Sequence, residues 1–556
     1  MSRQYPLDRS IDDAAQTPLL AKNCELDTLD SDEGVILFER AGGHEAHDVQ
    51  RSANTHFSYE KAVDEAGFGL FHGMLLVVCG WANASDAVEV LCVSFLLPTA
   101  RCDLQLSSSD MGFLTASLFL GMMIGGYIWG YLADQRGRQN VLVMSLTVNG
   151  VFGLLASFAP WFWLFLILRF ISGIGVGGSI PVIFSYFSEF QPRLKRGAMI
   201  SALATFWMAG NILAAGLAWL VIPQTWLHFR LGGLDIQSWR WFVMFCSVPS
   251  LTSALIFQVA MPESPRFLME AGRETEALLV FRRMFAVNNR GSRKTFAVTG
   301  LNVSSKKTER KTRSCGTFTQ RSFYLIKRGL APIRKLFVGE LASRSSCLVV
   351  VFYCISFGYY GLWMWFPELF KRAEDGGSPC TNANASRSQT QDNQSCYPVK
   401  TAVYMEGFIT AASNLPGNIF TILLMDVIGG KALLCCSLLL SSVSVFLIYE
   451  AKTKAQSVLI SCVFSGVSVV AWNALDVLGT ELYPTPSGNL YPTPLRSSAL
   501  GFFTGVGRLA AIMGNIVFGQ LVDTNCVIPV LLVSALLFTG GITALCLPHT
   551  RQTELT

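Results

Sequence analysis

Long apolar segments alternate with short polar ones along most of this chain. Six apolar segments lie in the first half, at 73–97, 111–132, 141–159, 161–184, 199–222 and 241–261. After the polar stretch 262–346 six more follow, at 347–366, 404–425, 432–449, 457–478, 499–522 and 527–547. A helix needs roughly 20 apolar residues to cross a bilayer. The pattern therefore predicts an all-α membrane protein with twelve transmembrane helices in two pseudo-symmetric six-helix bundles.

Composition narrows the class further. Of the 556 residues, 51% are hydrophobic and 15% are charged, whereas about 25% of residues in an average soluble domain are charged. This balance excludes a soluble enzyme, a disordered chain and a collagen-like chain. Most of the 15 cysteines lie in apolar segments, where cysteine acts as a small hydrophobic residue.

The placement of positive charge predicts the orientation. Lys and Arg far outnumber acids in 262–346, and the positive-inside rule puts such a loop in the cytosol. Six crossings on either side then put both termini there too. The predicted organisation is an acidic cytosolic tail (1–70), a first bundle (71–261), a basic cytosolic loop (262–346), a second bundle (347–548) and a cytosolic tail (549–556). Because no signal peptide is recognisable, the first helix is expected to be the targeting signal.

The same topology places the loop 367–399 on the luminal or exterior side. Asn384 and Asn393 begin acceptor sequences for N-glycosylation in this loop, on the side where glycosylation occurs. Cys380 and Cys396 flank them. A luminal disulfide between the two cysteines and a pair of free thiols are both compatible with the sequence.

A charged motif follows the second apolar segment. The sequence GYLADQRGRQ occupies Gly130–Gln139, and a weaker version occupies 426–431. Glycine at 137 allows a tight turn. Asp134 could accept hydrogen bonds from Arg138 or from the free N–H groups that begin the next helix. Such charge pairs could stabilise one conformation of a carrier and break in the other.

Two further charge pairs lie near predicted helix ends. Glu189 and Arg196 follow the fourth apolar segment, and Glu481 and Arg496 are their counterparts in the second half. The second pair is spread apart by a duplicated LYPTP sequence, and deleting one copy restores the spacing of the first. We interpret these residues, together with Arg138, as a gate network on the cytosolic side, the alternative being a solvated charge cluster.

Two acids lie inside the first predicted helix. Asp86 is near its middle and Glu89 is about one turn further on, so their side chains share a face. A charge inside the membrane costs roughly 2.5–3.5 kcal/mol on insertion scales, so a water-accessible or paired position is expected. Two carboxylates so close repel each other, which suits proton coupling. We expect both to face a wet passage shared by the two bundles. A static salt bridge to Arg169 or Arg508 is the alternative.

Aromatic and polar residues in other segments complete a candidate cavity for a small organic solute. The cavity residues are Trp207, Tyr359, Tyr360, Trp363, Trp472, Asn473 and Asp476. The GIGVGG sequence at 173–178 satisfies a dinucleotide-binding pattern, but it lies within an apolar segment and no strand precedes it. We therefore expect these glycines to allow close helix packing, and we expect no cofactor, metal, nucleic-acid partner or enzymatic activity.

Several stretches together resemble the synaptic vesicle glycoprotein 2 family, a sugar-porter-like branch of the major facilitator superfamily. They are DAVEV at 86–90, GGSIPVIFSYFSEF at 177–190, FWM at 206–208, PESPRF at 262–267, SFGYYGLWMWFPEL at 356–369 and AWNALDVL at 471–478.

The resemblance implies a major facilitator fold and a transporter-like glycoprotein of synaptic or other secretory vesicles, associated with regulated exocytosis. It implies a solute cavity that includes Trp207, Trp472 and Asp476, and a cytosolic tail that binds exocytosis proteins. The loop 367–399 is too short for the large luminal domain typical of that family. A vesicle protein that modulates exocytosis through protein interactions, without transport, is the alternative function.

Overall fold

The computed structural model describes residues 56–231, 234–289, 296, 298, 300–301, 333–334, 336–338, 340–376, 399–451, 453–481 and 494–547. The chain divides into Met1–Ala53 and Asn54–Thr556, and every described residue belongs to the second unit. Several predictions lie outside the described residues. They concern most of the acidic tail, Asn384, Asn393, Cys380, Cys396 and the side chains of Glu481 and Arg496.

The described residues are almost entirely helical. In the first half the helices are α1 (Tyr59–Glu65), α2 (Leu70–Asp103), α3 (Ser108–Arg136), α4 (Arg138–Ala156), α5 (Phe162–Ser188), α6 (Arg196–Val221), α7 (Ser238–Ala260), α8 (Pro265–Glu270) and α9 (Glu274–Asn288). In the second half they are α10 (Glu340–Trp363), α11 (Phe366–Gly376), α12 (Thr401–Ala412), α13 (Asn414–Ile428), α14 (Gly430–Glu450), α15 (Lys454–Glu481), α16 (Pro494–Asn525) and α17 (Val527–Leu545).

Four short strands complete the structure. The strands are β1 (His56–Phe57), β2 (Phe229–Leu231), β3 (Leu234–Ile236) and β4 (Gly300–Leu301). β1 pairs with β4 in parallel, and β2 and β3 form an antiparallel hairpin. The β1–β4 pair attaches the segment before α1 to the loop after α9.

Twelve helical segments among the described residues are long and apolar enough to cross a membrane. Six are α2 to α7, and the other six are α10, the α12–α13 pair, α14, α15, α16 and α17. The prediction of an all-α protein with twelve transmembrane helices is confirmed. Four helices were not predicted: α1 in the acidic tail, α8 and α9 in the basic loop, and α11 in the loop 367–399. They are short or mixed in polarity, so an apolar-segment criterion misses them.

Local side-chain and backbone chemistry explains where α3 begins and where α3 and α13 end. Ser107 begins α3 with a capping box, in which the Ser107 side chain and the Asp110 side chain each bond the other residue's backbone N–H. Gly137 ends α3 with φ of 96°, and Gly429, at the matching place between α13 and α14, has φ of 90°. Glycine alone adopts this backbone conformation easily. The two turns therefore repeat the same geometry in the two halves of the chain.

Glycines also set the closest helix contacts. In the GIGVGG sequence, a Cβ atom on Gly177 would collide with the backbone oxygen of Met122 on α3. Between the bundles, a Cβ on Gly112 of α3 would lie 2.9 Å from the Cα of Gly519 on α16. The α5 glycines therefore serve helix packing, and Gly112 with Gly519 brings α3 and α16 together where the two bundles meet.

The contacts between the bundles define two ends of the molecule. We call the end that carries α8 and α9 the α9 end, and the opposite end, which carries α11, the α11 end. Helix α3 packs on α16, α6 on α12, and α2 on α11. The α2–α11 contacts and the Gly112–Gly519 crossing both lie towards the α11 end. The described contacts therefore join the bundles firmly there.

Candidate functional site

A buried ion pair lies inside the first bundle. Glu89 of α2 pairs with Arg169 of α5, and both side chains are 0% exposed. The Ser172 hydroxyl donates to the same carboxylate oxygen at 2.9 Å, and Arg169 also donates to the Cys92 sulfur at 3.4 Å. A buried charge pair is tolerated only when it is well hydrogen-bonded, and these contacts satisfy that requirement in part.

Asp86 lies on the same helix and is also 0% exposed, but its partners are neutral. The Ser179 hydroxyl donates to its carboxylate at 2.6 Å, and the Asn149 side chain donates at 3.4 Å. Among the described residues, no Lys or Arg lies within 4 Å of its oxygens. Asp86 is therefore a membrane-embedded carboxyl group held by neutral donors alone.

Asn149 of α4 joins the two acids into one network. It accepts from the Ser172 hydroxyl at 3.0 Å, and its amide donates to Ser250 of α7 at 2.9 Å as well as to Asp86. The single hydroxyl hydrogen of Ser172 is shared between the Asn149 oxygen and Glu89. Four helices, α2, α4, α5 and α7, thus contribute to one buried polar network. We call it the acid network.

The location of the acid network corrects the sequence interpretation. We expected Asp86 and Glu89 to face a wet passage shared by the two bundles. Here both are sealed within the first bundle, and Glu89 adopts the paired alternative, with Arg169 as its partner. Arg508 pairs with neither. The physical reason is the free-energy cost of burying a charge in a low dielectric. This cost falls when a counter-ion is close, and Arg169 supplies one to Glu89.

A cluster of aromatic rings lies in the second bundle. Tyr359, Tyr360 and Trp363 of α10 meet Trp472 of α15; we call these four residues the aromatic cluster. The centroids of Tyr359 and Trp363 are 5.3 Å apart in a stacked arrangement, and those of Tyr360 and Trp472 are 5.8 Å apart. The indole N–H of Trp472 is buried without a hydrogen-bond partner. It is thus free to donate to a bound molecule.

Polar residues flank the aromatic cluster and reach the first bundle. Asn473 donates to Asn418 of α13 at 2.8 Å, and Asn418 donates to Thr205 of α6 at 3.2 Å. The Asp476 carboxyl group is exposed and has no hydrogen-bond or ion-pair partner among the described residues. Trp207 is half-buried on α6, in the other bundle. The predicted cavity residues thus lie on both bundles.

A compact charge cluster lies where α4 begins, at the α9 end. Arg138 pairs with Glu189 at 2.7 Å, and the Ser264 hydroxyl donates to the other Glu189 oxygen. Glu263 accepts from the backbone N–H groups of Arg138 at 2.9 Å and Gln139 at 3.0 Å. We call Arg138, Glu189, Glu263 and Ser264 the α4 cluster. Burial raises the pKa of Glu189 to about 7, while Arg138 and Ser264 oppose that shift.

Two contacts around the expected gate differ from the simplest expectation. The carboxylate at the start of α4 belongs to Glu263 rather than Asp134, whose side chain is exposed. Arg196 bonds Glu60 of α1 at 3.4 Å and the Gln191 carbonyl at 3.2 Å, and it does not pair with Glu189. A helix start attracts whichever carboxylate is packed against it, and the tertiary fold decides which that is.

A second charge cluster, which was not predicted, lies at the α11 end. Glu368 of α11 is 1% exposed and pairs with Arg101 of α2 at 3.2 Å and with Arg372 at 3.1 Å. Arg372 also pairs with Asp523 of α16 at 2.7 Å and donates to Ser108 of α3 at 3.2 Å. We call Arg101, Glu368, Arg372 and Asp523 the α11 cluster. It links both bundles, whereas the α4 cluster lies entirely within the first bundle and its α7–α8 loop.

Two other observations bear on the chemistry. Cys102, near the end of α2, and Cys526, between α16 and α17, are each disulfide-bonded. The described residues contain no group of three or more His, Cys, Asp or Glu side chains placed to hold a metal ion.

Comparison with known proteins gives the family. Residues 52–360 match the family described as "Sugar (and other) transporter". Synaptic vesicle glycoprotein 2C of Homo sapiens is 32% identical over 89% of this chain and 81% of the relative. Synaptic vesicle glycoprotein 2B of Homo sapiens is 33% identical over 89% of this chain and 86% of the relative, and synaptic vesicle glycoprotein 2A of Rattus norvegicus is 32% identical over 89% and 79%.

Solved structures give the same fold. The partially occluded inward-open conformation of the xylose transporter XylE from E. coli matches with a TM-score of 0.62 and 16% identity, over 87% of this chain and 99% of that one. A D-xylose-proton symporter matches with a TM-score of 0.60 and 17% identity, over 86% and 98%. At such identity the likeness concerns the fold alone. By its relatives and its fold, this chain belongs to the synaptic vesicle glycoprotein 2 family, a transporter-like membrane family within the major facilitator superfamily.

Proposed function

We propose that this chain moves a small organic solute across a vesicle membrane by alternating access, coupled to the movement of protons. The observation that carries the proposal is Asp86, a carboxyl group buried in the membrane region with only neutral donors around it. An isolated buried charge is expensive. Asp86 therefore binds a proton in this conformation and releases it only when the bundle changes shape.

The acid network offers a route for that change. Glu89 and Asp86 lie about one helical turn apart, and Arg169 pairs with Glu89 alone. Loss of the proton from Asp86 would leave two carboxylates to share one guanidinium. Asn149, which bonds both sides of the network, would transmit that competition to α4 and α7. Proton release and helix rearrangement are thereby coupled.

Sidedness follows from the charge of the loops. The positive-inside rule assigns the basic loop 262–346, and hence the α9 end and both termini, to the cytosol. The α11 end then faces the lumen, where the α11 cluster joins the bundles. This conformation would be closed to the lumen, in keeping with the inward-open structures that share the fold.

The solute would bind between the bundles. The aromatic cluster provides an apolar wall, and Asn473, Asp476 and Trp207 provide polar and aromatic contacts from both sides. A few convergent polar groups within an aromatic wall are typical of sites for small organic molecules. The pair Arg138–Glu189 would open and close with the cytosolic gate, and Glu481 and Arg496 would be its counterparts in the second half.

The membrane in which the protein resides is proposed from its relatives. The relatives are named as synaptic vesicle glycoproteins, so we place this chain in a synaptic or other secretory vesicle membrane. Asn384 and Asn393 would carry glycans on the luminal side. A link to regulated exocytosis, through cytosolic proteins that bind the N-terminal tail, belongs to the same proposal.

The test is uptake by the full chain reconstituted in proteoliposomes, with and without a pH gradient. The labelled probes are D-xylose, which the structural neighbours are named for, and benzoate as an organic acid. We expect the gradient to drive accumulation of one probe, and Asp86→Asn to abolish accumulation while leaving equilibrium exchange of the same probe. Arg193→Asn, at an exposed loop position, is the matched control. Accumulation by Asp86→Asn equal to that of the natural chain would contradict proton coupling at Asp86.

A second candidate is a non-transporting modulator of exocytosis. The observation in its favour is that α1, which lies within the predicted tail, is attached to the region of the α4 cluster. Tyr59 donates to the Glu189 carbonyl, and Glu60 pairs with Arg196. A protein bound to the tail could therefore alter this region. Loss of vesicle release on deletion of residues 1–53, without any probe uptake by the full chain, would favour this candidate.

A further inference from the structure

Arg508 is a cation in the membrane-spanning part of α16, and aromatic rings surround it. Its guanidinium carbon lies 5.7 Å from the ring centroid of Tyr360 and 5.9 Å from that of Phe119. The faces of aromatic rings attract cations at such distances. These contacts position the guanidinium, but a ring face does not accept the directed hydrogen bonds that its N–H groups offer.

Arg508 is half-buried, and unlike the fully buried Arg169 and Arg240 it has no anionic partner among the described residues. Arg169 pairs with Glu89, and Arg240 pairs with Asp103 at 2.8 Å. Among the described residues, no carboxylate lies within ion-pair distance of Arg508, and its buried Nη1 atom has no hydrogen-bond partner. A cation inside the membrane-spanning region with a buried N–H that lacks a partner is costly, and this cost points to function.

The position of Arg508 suits a transported solute. Phe119 belongs to α3 of the first bundle and Tyr360 to α10 of the second, and their ring centroids are 5.0 Å apart. Any group held by Arg508 therefore lies where the two bundles touch. A ligand at such a place interacts differently with the open and closed arrangements, which is what coupling to a conformational change requires.

We propose that Arg508 binds the carboxylate of an organic anion, and that this anion is the solute class of the cavity. Tyr360 is also 5.8 Å from Trp472, so the aromatic cluster adjoins the guanidinium. The free indole N–H of Trp472 supplies a second donor, and the rings supply an apolar wall. The chemistry of these groups suits a carboxylate attached to a compact apolar or aromatic body. The inference rests on the proposed function and names its substrate class.

The test compares two probes of equal size, benzoate and its neutral isostere benzamide. The full chain is placed in phosphatidylcholine nanodiscs, which contain no anionic lipid, and each probe is titrated without a pH gradient. A ligand that binds the folded protein raises the unfolding midpoint in proportion to its affinity. We expect benzoate to bind about tenfold more tightly than benzamide, because a charge-assisted bidentate contact exceeds a neutral one by that order.

Two variants and a control locate the effect. Arg508→Gln is expected to reduce benzoate affinity about tenfold, to the level of benzamide. Arg508→Lys is expected to keep a smaller preference for benzoate, because lysine retains the positive charge but lacks the planar guanidinium that binds a carboxylate through two N–H groups. Arg193→Gln, an exposed arginine, should leave the preference intact. Equal binding of the two probes by the natural chain overturns the inference, as does a preference that survives in Arg508→Gln. If Arg508→Gln does not fold, the natural chain and Arg508→Lys decide.

This result is separable from the proposed function. Because binding is measured at equilibrium, a preference for benzoate can hold in a chain that shows no proton-driven accumulation, which would count against transport alone. Conversely, pH-driven accumulation of D-xylose with equal binding of benzoate and benzamide would support transport and overturn the anion site.

Discussion

At the scale of single residues, the acid network shows that two acids on one helix can have very different neighbours inside the membrane. Asp86 and Glu89 were recognisable because acids are rare inside apolar segments. Their different surroundings were not, because Glu89 meets Arg169 while Asp86 meets only Ser179 and Asn149. Positions along one helix specify that two side chains share a face, but the neighbouring helices specify what each side chain touches.

The buried pair leads to a prediction about stability. Arg169→Met leaves Glu89 as an uncompensated buried charge, and we expect a loss of roughly 3–5 kcal/mol in the free energy of unfolding. Adding Glu89→Leu should recover part of that loss, because no buried charge then remains. Thermal unfolding in nanodiscs measures both, with Arg193→Met as the exposed control. If Arg169→Met is no less stable than Arg193→Met, Glu89 is not sealed in the bundle as described.

Glu189 leads to a prediction about pH. Its folded-state pKa of about 7 lies above the usual 4.5, so between these values the folded protein holds a proton that the unfolded chain releases. Stability therefore falls as pH rises from about 4.5 to 7 and levels off above, by about 3 kcal/mol.

The check is the difference in unfolding midpoint between the natural chain and Glu189→Gln across that pH range. The variant has no titrating group at this position, so the difference between the two proteins should change with pH in the stated direction. Parallel pH profiles, or a natural chain that gains stability relative to the variant as pH rises, would refute the shift.

At the scale of elements, the sequence predicted the spanning helices well and the connecting helices poorly. Apolar length alone identifies α2 to α7 and their counterparts in the second half. Helices α8, α9 and α11 lie at the ends of the bundles and contain charged residues, so they carry no apolar signal. The missed helix α11 matters because it carries Glu368 and Arg372, which connect the two bundles.

The α11 cluster predicts a change in accessibility. Glu368→Gln removes the charge that pairs with both Arg101 and Arg372, so we expect the α11 end to open more often. Ser94, buried and bonded to the Met364 carbonyl at 2.7 Å, reports on this. A Ser94→Cys chain should react with a membrane-impermeant maleimide several-fold faster when Glu368→Gln is added, a change of about 1 kcal/mol in the opening equilibrium.

Glu374→Gln provides the matched control. Glu374 is also on α11, but its partners Lys400 and Lys454 both belong to the second half, so its loss breaks no contact between the bundles. Equal labelling rates with Glu368→Gln and Glu374→Gln would mean that the α11 cluster does not hold this end closed.

At the scale of the whole molecule, the fold class and family were predictable because they rest on features that repeat along the chain. Twelve apolar segments, two matching glycine turns and several family stretches each identify the architecture independently. The partners of Arg138, Arg196 and Asp134 were less predictable, because several charges compete at one helix start. The cluster at the α11 end was unpredictable, because its members lie far apart in sequence and meet only when both bundles are assembled.

We propose that protonation of Asp86 controls which end of the molecule is open, and a distance measured across the α9 end decides the matter. Probes introduced through an unnatural amino acid at Leu194 of the first half and Val427 of the second, both highly exposed, report that distance without involving the native cysteines. In nanodiscs, we predict two distance populations whose ratio changes between pH 5 and pH 8 by about tenfold, as loss of one proton-linked interaction implies. In Asp86→Asn, the population that matches the present structure should dominate at both values. A single distance that ignores pH in the natural chain, or an Asp86→Asn chain that responds to pH as the natural chain does, would contradict the account.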